Sequence, residues 1–119
     1  KADVQVEELY LDDAEVVITA YGVSGRIARS AVQNLRREGL KVGLIRPKTV
    51  SPFPYESYEK PDFNRVKAIL DVEMSIPAQM VTDVELAVKG RCAIETCLHA
   101  GGEIMGRAEI MDAARKLCR

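Results

Sequence analysis

The sequence has few residues of the types that bind metal ions. Its only histidine is His99, and its three cysteines show no ligand spacing, because four residues separate Cys92 from Cys97 and Cys118 stands alone. A zinc or iron–sulfur site needs several such side chains around one centre, so no metal site is expected inside this chain. The thiols are interpreted as buried groups in a reducing compartment.

The sequence also lacks an excess of charge of one sign, and it lacks a long apolar run. Seventeen Lys and Arg residues stand against 18 Asp and Glu residues, giving a formal net charge of −1. Nucleic-acid binding usually requires a clustered basic face, and a membrane span requires a much longer apolar segment. No charged leader followed by an apolar segment opens the chain. We expect a soluble, cytoplasmic protein with neither nucleic acid nor membrane as a partner.

Large aromatic residues are scarce, since there is no Trp and there are only two Phe, while the hydrophobic fraction is 47%. The core must therefore be aliphatic. A length of 119 residues suits one domain and is too short for two. The first residue is Lys rather than Met, which suggests a piece cut from a longer protein.

Apolar segments and amphipathic helical patterns alternate along the chain. Strands are predicted at 16–20, 41–46, 66–72 and 92–98, and helices at 25–38, 77–89 and 107–117. A short helix is also predicted through Tyr58 or Glu59, and Gly39 is expected to stop the first long helix. The alternation predicts an α/β fold in three layers, a mainly parallel sheet with helices on both faces.

Residues 14–119 are assigned to this domain, and residues 1–13 to a lead-in from a preceding domain, with an edge strand as one option. Counting the four strands in chain order, we expect the order 3-2-1-4 across the sheet. The ligand crevice would then lie beside the end of the first strand.

The turn after the first strand is the clearest candidate for a binding site. Gly22 and Gly25 would let the backbone approach a ligand, Ser24 is a plausible N-cap, and Arg26 could pair with a phosphate. The alternative is an ordinary strand-to-helix turn whose Arg26 meets an acidic residue of a neighbouring subunit. Neither a dinucleotide fingerprint nor a Walker loop is present.

Other candidates carry less specific signals. Glu73, after the third strand, could act as a general acid or base or could cap the next helix. Phe53, between two prolines, is expected to bury itself against the sheet edge or a partner, and an exposed apolar docking patch is predicted from Phe53, Tyr55 and Tyr58. His99 could serve a small hydrolase, but no Gly-x-Ser-x-Gly elbow supports this. No catalytic residue is assigned.

Several segments resemble the C-terminal part of the alpha subunit of 2-oxoacid:ferredoxin oxidoreductases, most of all the 2-oxoisovalerate branch, with the 2-oxoglutarate branch close behind. The similar segments are YGVSGRIA at 21–28, RREGLKVGLIRPKTVSPFP at 36–54, VEM at 72–74, QMVTDV at 79–84 and GGEI at 101–104. The chain departs from the family pattern at Ser75–Ala78 and at Val50–Ser51.

The resemblance implies a transketolase C-terminal-like domain. In this family a multi-subunit complex decarboxylates a 2-oxoacid on thiamine diphosphate with magnesium, passes electrons through iron–sulfur clusters to ferredoxin, and joins the acyl group to coenzyme A. The cofactor sites belong to other domains and subunits, so this chain would be a structural and interface domain without cofactors or catalysis of its own. The alternative is a stand-alone α/β module that binds a nucleotide, a coenzyme or another small anion at Gly22 to Arg26.

Overall fold

Strands and helices alternate in the computed structural model, which describes residues 6–20, 23–48, 55–73, 81–98 and 106–118. Five strands and three α-helices are found in these ranges, with one 3₁₀ helix at Tyr55–Glu59. The strands are β1 Val6–Leu9, β2 Val16–Ala20, β3 Val42–Pro47, β4 Ala68–Glu73 and β5 Ala93–Leu98. The helices are α1 Val23–Arg37, α2 Val81–Val88 and α3 Arg107–Cys118.

The strands form one sheet in the order β1-β3-β2-β4-β5. β3, β2, β4 and β5 are parallel, and β1 runs antiparallel to β3. The predicted order 3-2-1-4 is wrong, because the third of the predicted strands, β4, lies beside the first, β2. The chain crosses back over β2 on its way from β3 to β4. The pattern of apolar residues in a strand indicates which side chains are buried, but it does not indicate which strand lies beside it in the sheet.

The lead-in contributes the edge strand β1, which confirms the predicted option. Glu7 lies opposite Arg46 of β3, and the side chains of Val6–Leu9 are all partly exposed. Residues 6–9 are therefore paired with the same sheet as the domain that follows.

Apolar side chains pack on both faces of the sheet. All five residues of β2 are buried, as a central strand covered on both sides requires. Ile18 and Ala20 belong to a core that includes buried residues of α1 and α3. Val17 belongs to a second core with Tyr58 of the 3₁₀ helix and buried residues of α2. The three-layer α/β architecture predicted from the sequence is confirmed.

Both ends of α1 follow from local sequence. Gly39 has a φ of +88°, and the Leu40 amide donates to the Leu35 carbonyl at 3.1 Å. This is the hydrogen bond of a Schellman stop, which glycine favours, so the predicted stop is confirmed. The helix begins at Val23, two residues before the predicted start. Ser24 therefore lies within the first turn and not before it, where an N-cap would stand.

Helix length is modest throughout the described ranges. The longest helix, α1, has 15 residues, whereas a bilayer span takes roughly 20 apolar residues. No described helix is long and apolar enough to cross a membrane.

Arg36 of helix α1 binds the turn after β1 through hydrogen bonds. Its guanidinium donates two hydrogen bonds to the Asp13 carboxylate, at 2.7 and 3.1 Å, and one to the Tyr10 carbonyl at 3.0 Å. Its Nε donates to the carbonyl of Val42 at the start of β3. A planar guanidinium can make all these bonds at once, which a lysine cannot.

The ion pair predicts a pH-dependent contribution to stability. The hydrogen bond from Arg36 holds the pKa of Asp13 below its usual value of 3.8. A depressed folded-state pKa stabilises the fold above the unfolded pKa, and this contribution is lost as pH falls through the folded pKa. We expect the Asp13→Asn variant to be less stable than the parent chain at about pH 7, with the difference shrinking as the pH falls below the usual Asp pKa of 3.8.

Thermal unfolding across this pH range checks the prediction. Asp12→Asn is the matched control, because Asp12 is exposed and forms no ion pair within the described part of the chain. A difference between parent and Asp13→Asn that stays constant from pH 7 to 3 would contradict the role of the Asp13 charge.

Candidate functional site

The carboxyl ends of the parallel strands meet at one edge of the sheet. Ala20 of β2 lies opposite Val72 of β4, and Glu73 of β4 lies opposite Leu98 of β5. The chain leaves β2 toward β3 on one side and later returns to β4 on the other side, so the topological switch point lies between β2 and β4. The predicted position of this point, beside the end of the first predicted strand, agrees with the topology although the predicted strand order does not.

The predicted site residues are only partly covered by the structure. Gly22, Phe53 and the loop at 99–102 lie outside the described residues. Ser24 is placed by its backbone in the first turn of α1, and Glu73 is the last residue of β4. The roles suggested for these side chains stay predictions.

Gly25 is buried, and its contacts explain why no side chain is present there. A Cβ at this position would lie 2.6 Å from Nε and 2.8 Å from Cδ and Cγ of Arg46. The missing side chain leaves room for Arg46 to cross the first turn of α1. This is a packing reason for Gly25 that involves no ligand.

A carboxylate from the edge strand bridges two arginines beside this turn. Nη1 of Arg46 donates to Oε1 of Glu7 at 3.1 Å, and Nε of Arg29 lies 3.2 Å from Oε2 of the same carboxylate. Arg26 is exposed and forms no ion pair with any residue in the described ranges. Sequence reasoning missed the contact because Glu7 is far from both arginines along the chain; the only signal was an acidic residue in a predicted edge strand.

A buried polar group lies on the opposite face of the sheet, near the same edge. The Tyr58 hydroxyl is hydrogen-bonded to Oγ1 of Thr19, and Asp71 lies beside Thr19 across the β2–β4 pair. All three residues are fully buried. Burial, together with the nearby carboxylates of Asp71 and Asp83, raises the pKa of Tyr58 above its usual range. The phenol therefore stays protonated at neutral pH.

Sequence reasoning did not identify this group. The sequence feature that indicates this buried polar group is Asp71, the charged residue inside the otherwise apolar run before Glu73. The prediction that Tyr58 lies in an exposed docking patch is wrong. A large ring bridging the 3₁₀ helix and the sheet removes more apolar surface from water than an exposed ring could.

Tyr55 is the one ring of the predicted patch that the structure places at the surface, with 44% of its area exposed. Its hydroxyl donates to Oδ1 of Asp83 at 2.9 Å, and this hydrogen bond raises the pKa of Tyr55. The other exposed large apolar side chains in the described residues are Tyr10 and Leu86. Because these three are scattered along the chain, they do not by themselves define the predicted apolar docking surface.

The described residues offer no catalytic or metal-binding arrangement. No three His, Cys, Asp or Glu side chains among them are grouped to hold a metal ion. Cys92 and Cys118 are free and partly buried, and burial raises the pKa of both thiols. Thiols of this kind are poor nucleophiles near neutral pH. The polar groups at the carboxyl edge instead hold β1, α1 and the 3₁₀ helix in place.

Comparison with known families gives a match over most of the chain. Residues 14–110 match the family model for the pyruvate:ferredoxin oxidoreductase core domain II. The chain is 38% identical over 122 residues to the ketoisovalerate oxidoreductase subunit VorB of Methanothermobacter thermautotrophicus, covering 97% of this chain and 32% of that protein. It is 32% identical over 109 residues to the 2-oxoglutarate synthase subunit KorA of Methanothermobacter marburgensis, covering 92% of this chain and 28% of that protein.

The fold is also found in a solved structure. The 2-oxoglutarate:ferredoxin oxidoreductase from Magnetococcus marinus, determined with 2-oxoglutarate, coenzyme A and succinyl-CoA bound, matches with a TM-score of 0.81 and 22% identity, covering 100% of this chain and 20% of that chain. At this identity the likeness establishes the fold alone. The chain spans about a third of the length of the two curated relatives.

Proposed function

This chain belongs to the pyruvate:ferredoxin oxidoreductase core domain II family, and from that membership we propose that it is the C-terminal structural and interface domain of the alpha subunit of a 2-oxoacid:ferredoxin oxidoreductase. The complete complex would oxidatively decarboxylate a 2-oxoacid, form the acyl-CoA and pass electrons to ferredoxin. The observation that carries the proposal is the match to subunits of 2-oxoacid oxidoreductases over nearly the whole chain.

The substrate is proposed to be 2-oxoisovalerate. Identity is 38% over 97% of the chain to the ketoisovalerate oxidoreductase subunit, whereas 2-oxoglutarate synthase subunits match at 31% over 96% and at 37% over only 77% of the chain. The difference favours the branched-chain substrate. 2-Oxoglutarate is the second candidate.

The cofactors of the family do not fit the described part of this chain. Thiamine diphosphate is held through a magnesium ion and iron–sulfur clusters through cysteine thiolates, whereas the described side chains provide no grouped set of metal ligands. We therefore assign no step through these groups to this chain. Thiamine diphosphate, magnesium and the clusters are proposed to bind other domains and subunits, which would also meet coenzyme A and ferredoxin.

The site residues take interface roles in this proposal. Arg26 is exposed and lacks an ion pair in the described ranges, as expected of a side chain that meets another part of the complex. Gly22, Ser24, Phe53 and Glu73 are proposed for the same interface role, with no catalytic role. Gly25 was predicted to join them, but it is buried beneath Arg46 and serves packing instead. Residues 1–13 are proposed to connect a preceding domain, and the complex is proposed to be cytoplasmic.

The alternative of a stand-alone module for a nucleotide, coenzyme or other anion is not supported. The curated relatives are subunits about three times longer than this chain. Their matched portion is one part of a larger polypeptide and not an independent protein.

The proposal is tested with the full-length subunit assembled with its partner subunits. We expect reduction of ferredoxin, or of a viologen dye in its place, that depends on both a 2-oxoacid and coenzyme A. The rate should be highest with 2-oxoisovalerate among 2-oxoisovalerate, 2-oxoglutarate and pyruvate. The 119-residue chain alone is the control and should give no reduction. A complex that reduces the acceptor with none of the three 2-oxoacids would refute the proposed activity, and a preference for 2-oxoglutarate would refute only the substrate.

A further inference from the structure

Charge is distributed unequally among the helices of the domain. Helix α1 carries four arginines and no acidic residue. The 3₁₀ helix and α2, on the opposite face, together carry four acidic residues and no basic one. The near-zero net charge of the whole sequence hides this asymmetry. Helix α3, which packs in the same core as α1, is mixed, with three basic and two acidic residues. The excess of positive charge therefore belongs to α1, which is suited to an acidic surface.

The basic side chains concentrate at the carboxyl edge, around the start of α1. We call this group the basic patch, and it consists of Arg26, Arg29, Arg46, Lys48 and Arg107. Arg46 crosses the first turn of α1 at Gly25, and Arg29 and Arg46 share the Glu7 carboxylate. Arg26 and Lys48 belong to the group by their positions, in that turn and directly after β3. Nη1 of Arg107 donates to Oγ of Ser30 at 3.2 Å, which brings the start of α3 to the same place.

One carboxylate of the chain already binds in this group, and it comes from the lead-in. Glu7 bonds to Arg29 and Arg46, but Arg26 and Lys48 are exposed and have no ion pair within the described residues. Positive charge therefore exceeds the negative charge that the described chain supplies at this edge. An acidic partner would complete the pairing that Glu7 begins.

The polypeptide enters the domain beside the basic patch. Val6, the first residue of β1, lies opposite Pro47 at the end of β3, and Glu7 reaches α1 directly. The curated relatives are about three times longer than this chain. The proposed function includes a domain before this chain, and that domain would be tethered next to the exposed arginines, which raises its local concentration there.

We propose that the basic patch docks onto an acidic surface of the domain that precedes this chain in the subunit. The inference rests on the proposed function, because it requires the longer subunit. It adds the position and the chemistry of an interface within that subunit. Exposed ion pairs at such an interface contribute more to orientation than to affinity, so their role is to set the angle at which the domains meet.

Zero-length cross-linking with a carbodiimide tests the proposal in the full-length subunit within its complex. The reagent joins amines only to carboxylates in direct contact, and Lys48 is a natural probe. Arg26→Lys and Arg107→Lys supply two more. We expect cross-links from these positions to Asp or Glu residues of the subunit that precede residue 1, reduced several-fold in about 0.5 M NaCl by charge screening. Lys41 and Lys116, exposed basic residues outside the basic patch, are the matched controls and should not join the same carboxylates.

A second measurement follows amide hydrogen exchange at 23–30 in the same complex. A double variant with Arg26→Glu and Arg107→Glu should exchange amide hydrogens in this segment about tenfold faster, because the proposed interface is lost. The control double variant, with Arg37→Glu and Lys116→Glu, should exchange at the parent rate. Unchanged exchange in β2 shows that the domain is still folded in both variants.

Three results would overturn the docking proposal. The first is the absence of cross-links from all three probe positions. The second is cross-linking only to the acidic residues of a second copy, at Glu56, Glu59, Asp83 or Glu85. The third is loss of cross-linking when coenzyme A is added, which would make the basic patch a small-anion site. Activity of the parent complex is measured separately, so a missing interface is distinguishable from a wrong enzyme assignment.

Discussion

Replacing Tyr58 with Ala is expected to lower the free energy of unfolding by about 3–5 kcal/mol, the range for removing a fully buried aromatic side chain. The ring is 0% exposed and packs in the core shared by the 3₁₀ helix, α2 and the sheet. Its removal opens a cavity and also leaves Thr19 without the phenol hydroxyl. Most of the loss is the cavity and the lost apolar burial, because a single buried hydrogen bond contributes only about 1 kcal/mol.

Urea unfolding of the 119-residue chain separates these two contributions. Tyr58→Phe keeps the ring and removes only the hydroxyl, so it should cost about 1–2 kcal/mol. Tyr55→Ala is the matched control, because Tyr55 lies in the same 3₁₀ helix with 44% of its area exposed, and it should cost less than about 1 kcal/mol. Equal losses for the two alanine variants would show that Tyr58 does not have the buried position described.

Replacing Gly43 with Val is expected to destabilise the domain by about 2–3 kcal/mol through overpacking. A Cβ at Gly43 would lie 3.0 Å from the Tyr10 carbonyl oxygen and 3.1 Å from both Ala14 Cβ and Leu11 Cδ2. The branched side chain must therefore push the 10–14 turn away from the sheet. Valine favours strands over glycine by no more than about 1 kcal/mol, so the clash outweighs the gain.

The size of the side chain is the variable to test. Gly43→Ala requires its neighbours to move only slightly, so its loss should be about 1 kcal/mol or less. Gly106→Ala is the control, since no heavy atom lies within 4 Å of the Cβ position there. The displaced turn also carries the Tyr10 carbonyl that Arg36 binds, so faster amide exchange around residues 10–14 should accompany the Val variant. A Val variant as stable as the Ala variant would contradict the close contact.

Local sequence was sufficient for the elements and their order along the chain. The predicted helices and strands match the observed ones within a few residues where the structure describes them, because burial periodicity and stop signals act over a few residues. Gly39 illustrates this: one residue without a Cβ adopts the positive φ that ends α1. The family resemblance was also available from sequence, since it depends on the order and spacing of short segments.

The candidate site was less predictable, because its contacts join distant parts of the chain. Gly25 was singled out as a point of close ligand approach, yet the atoms that fill its space belong to Arg46. Arg29 lies on the exposed side of α1, yet its guanidinium meets Glu7 of the edge strand. Amphipathic patterns separate buried from exposed faces and do not identify ion-pair partners.

The sequence alone therefore determined the α/β alternation, the apolar central strand Val16–Ala20 and the membership of a 2-oxoacid oxidoreductase family. Only the tertiary structure decided that β4 lies beside β2, that Tyr58 is buried against Thr19, and that β1 is bound to α1 through Glu7. The physical reason is the distance along the chain over which each interaction acts. Hydrogen-bond periodicity and helix stops are local properties of the backbone, whereas strand order and buried polar pairing are settled by packing between segments far apart in the chain.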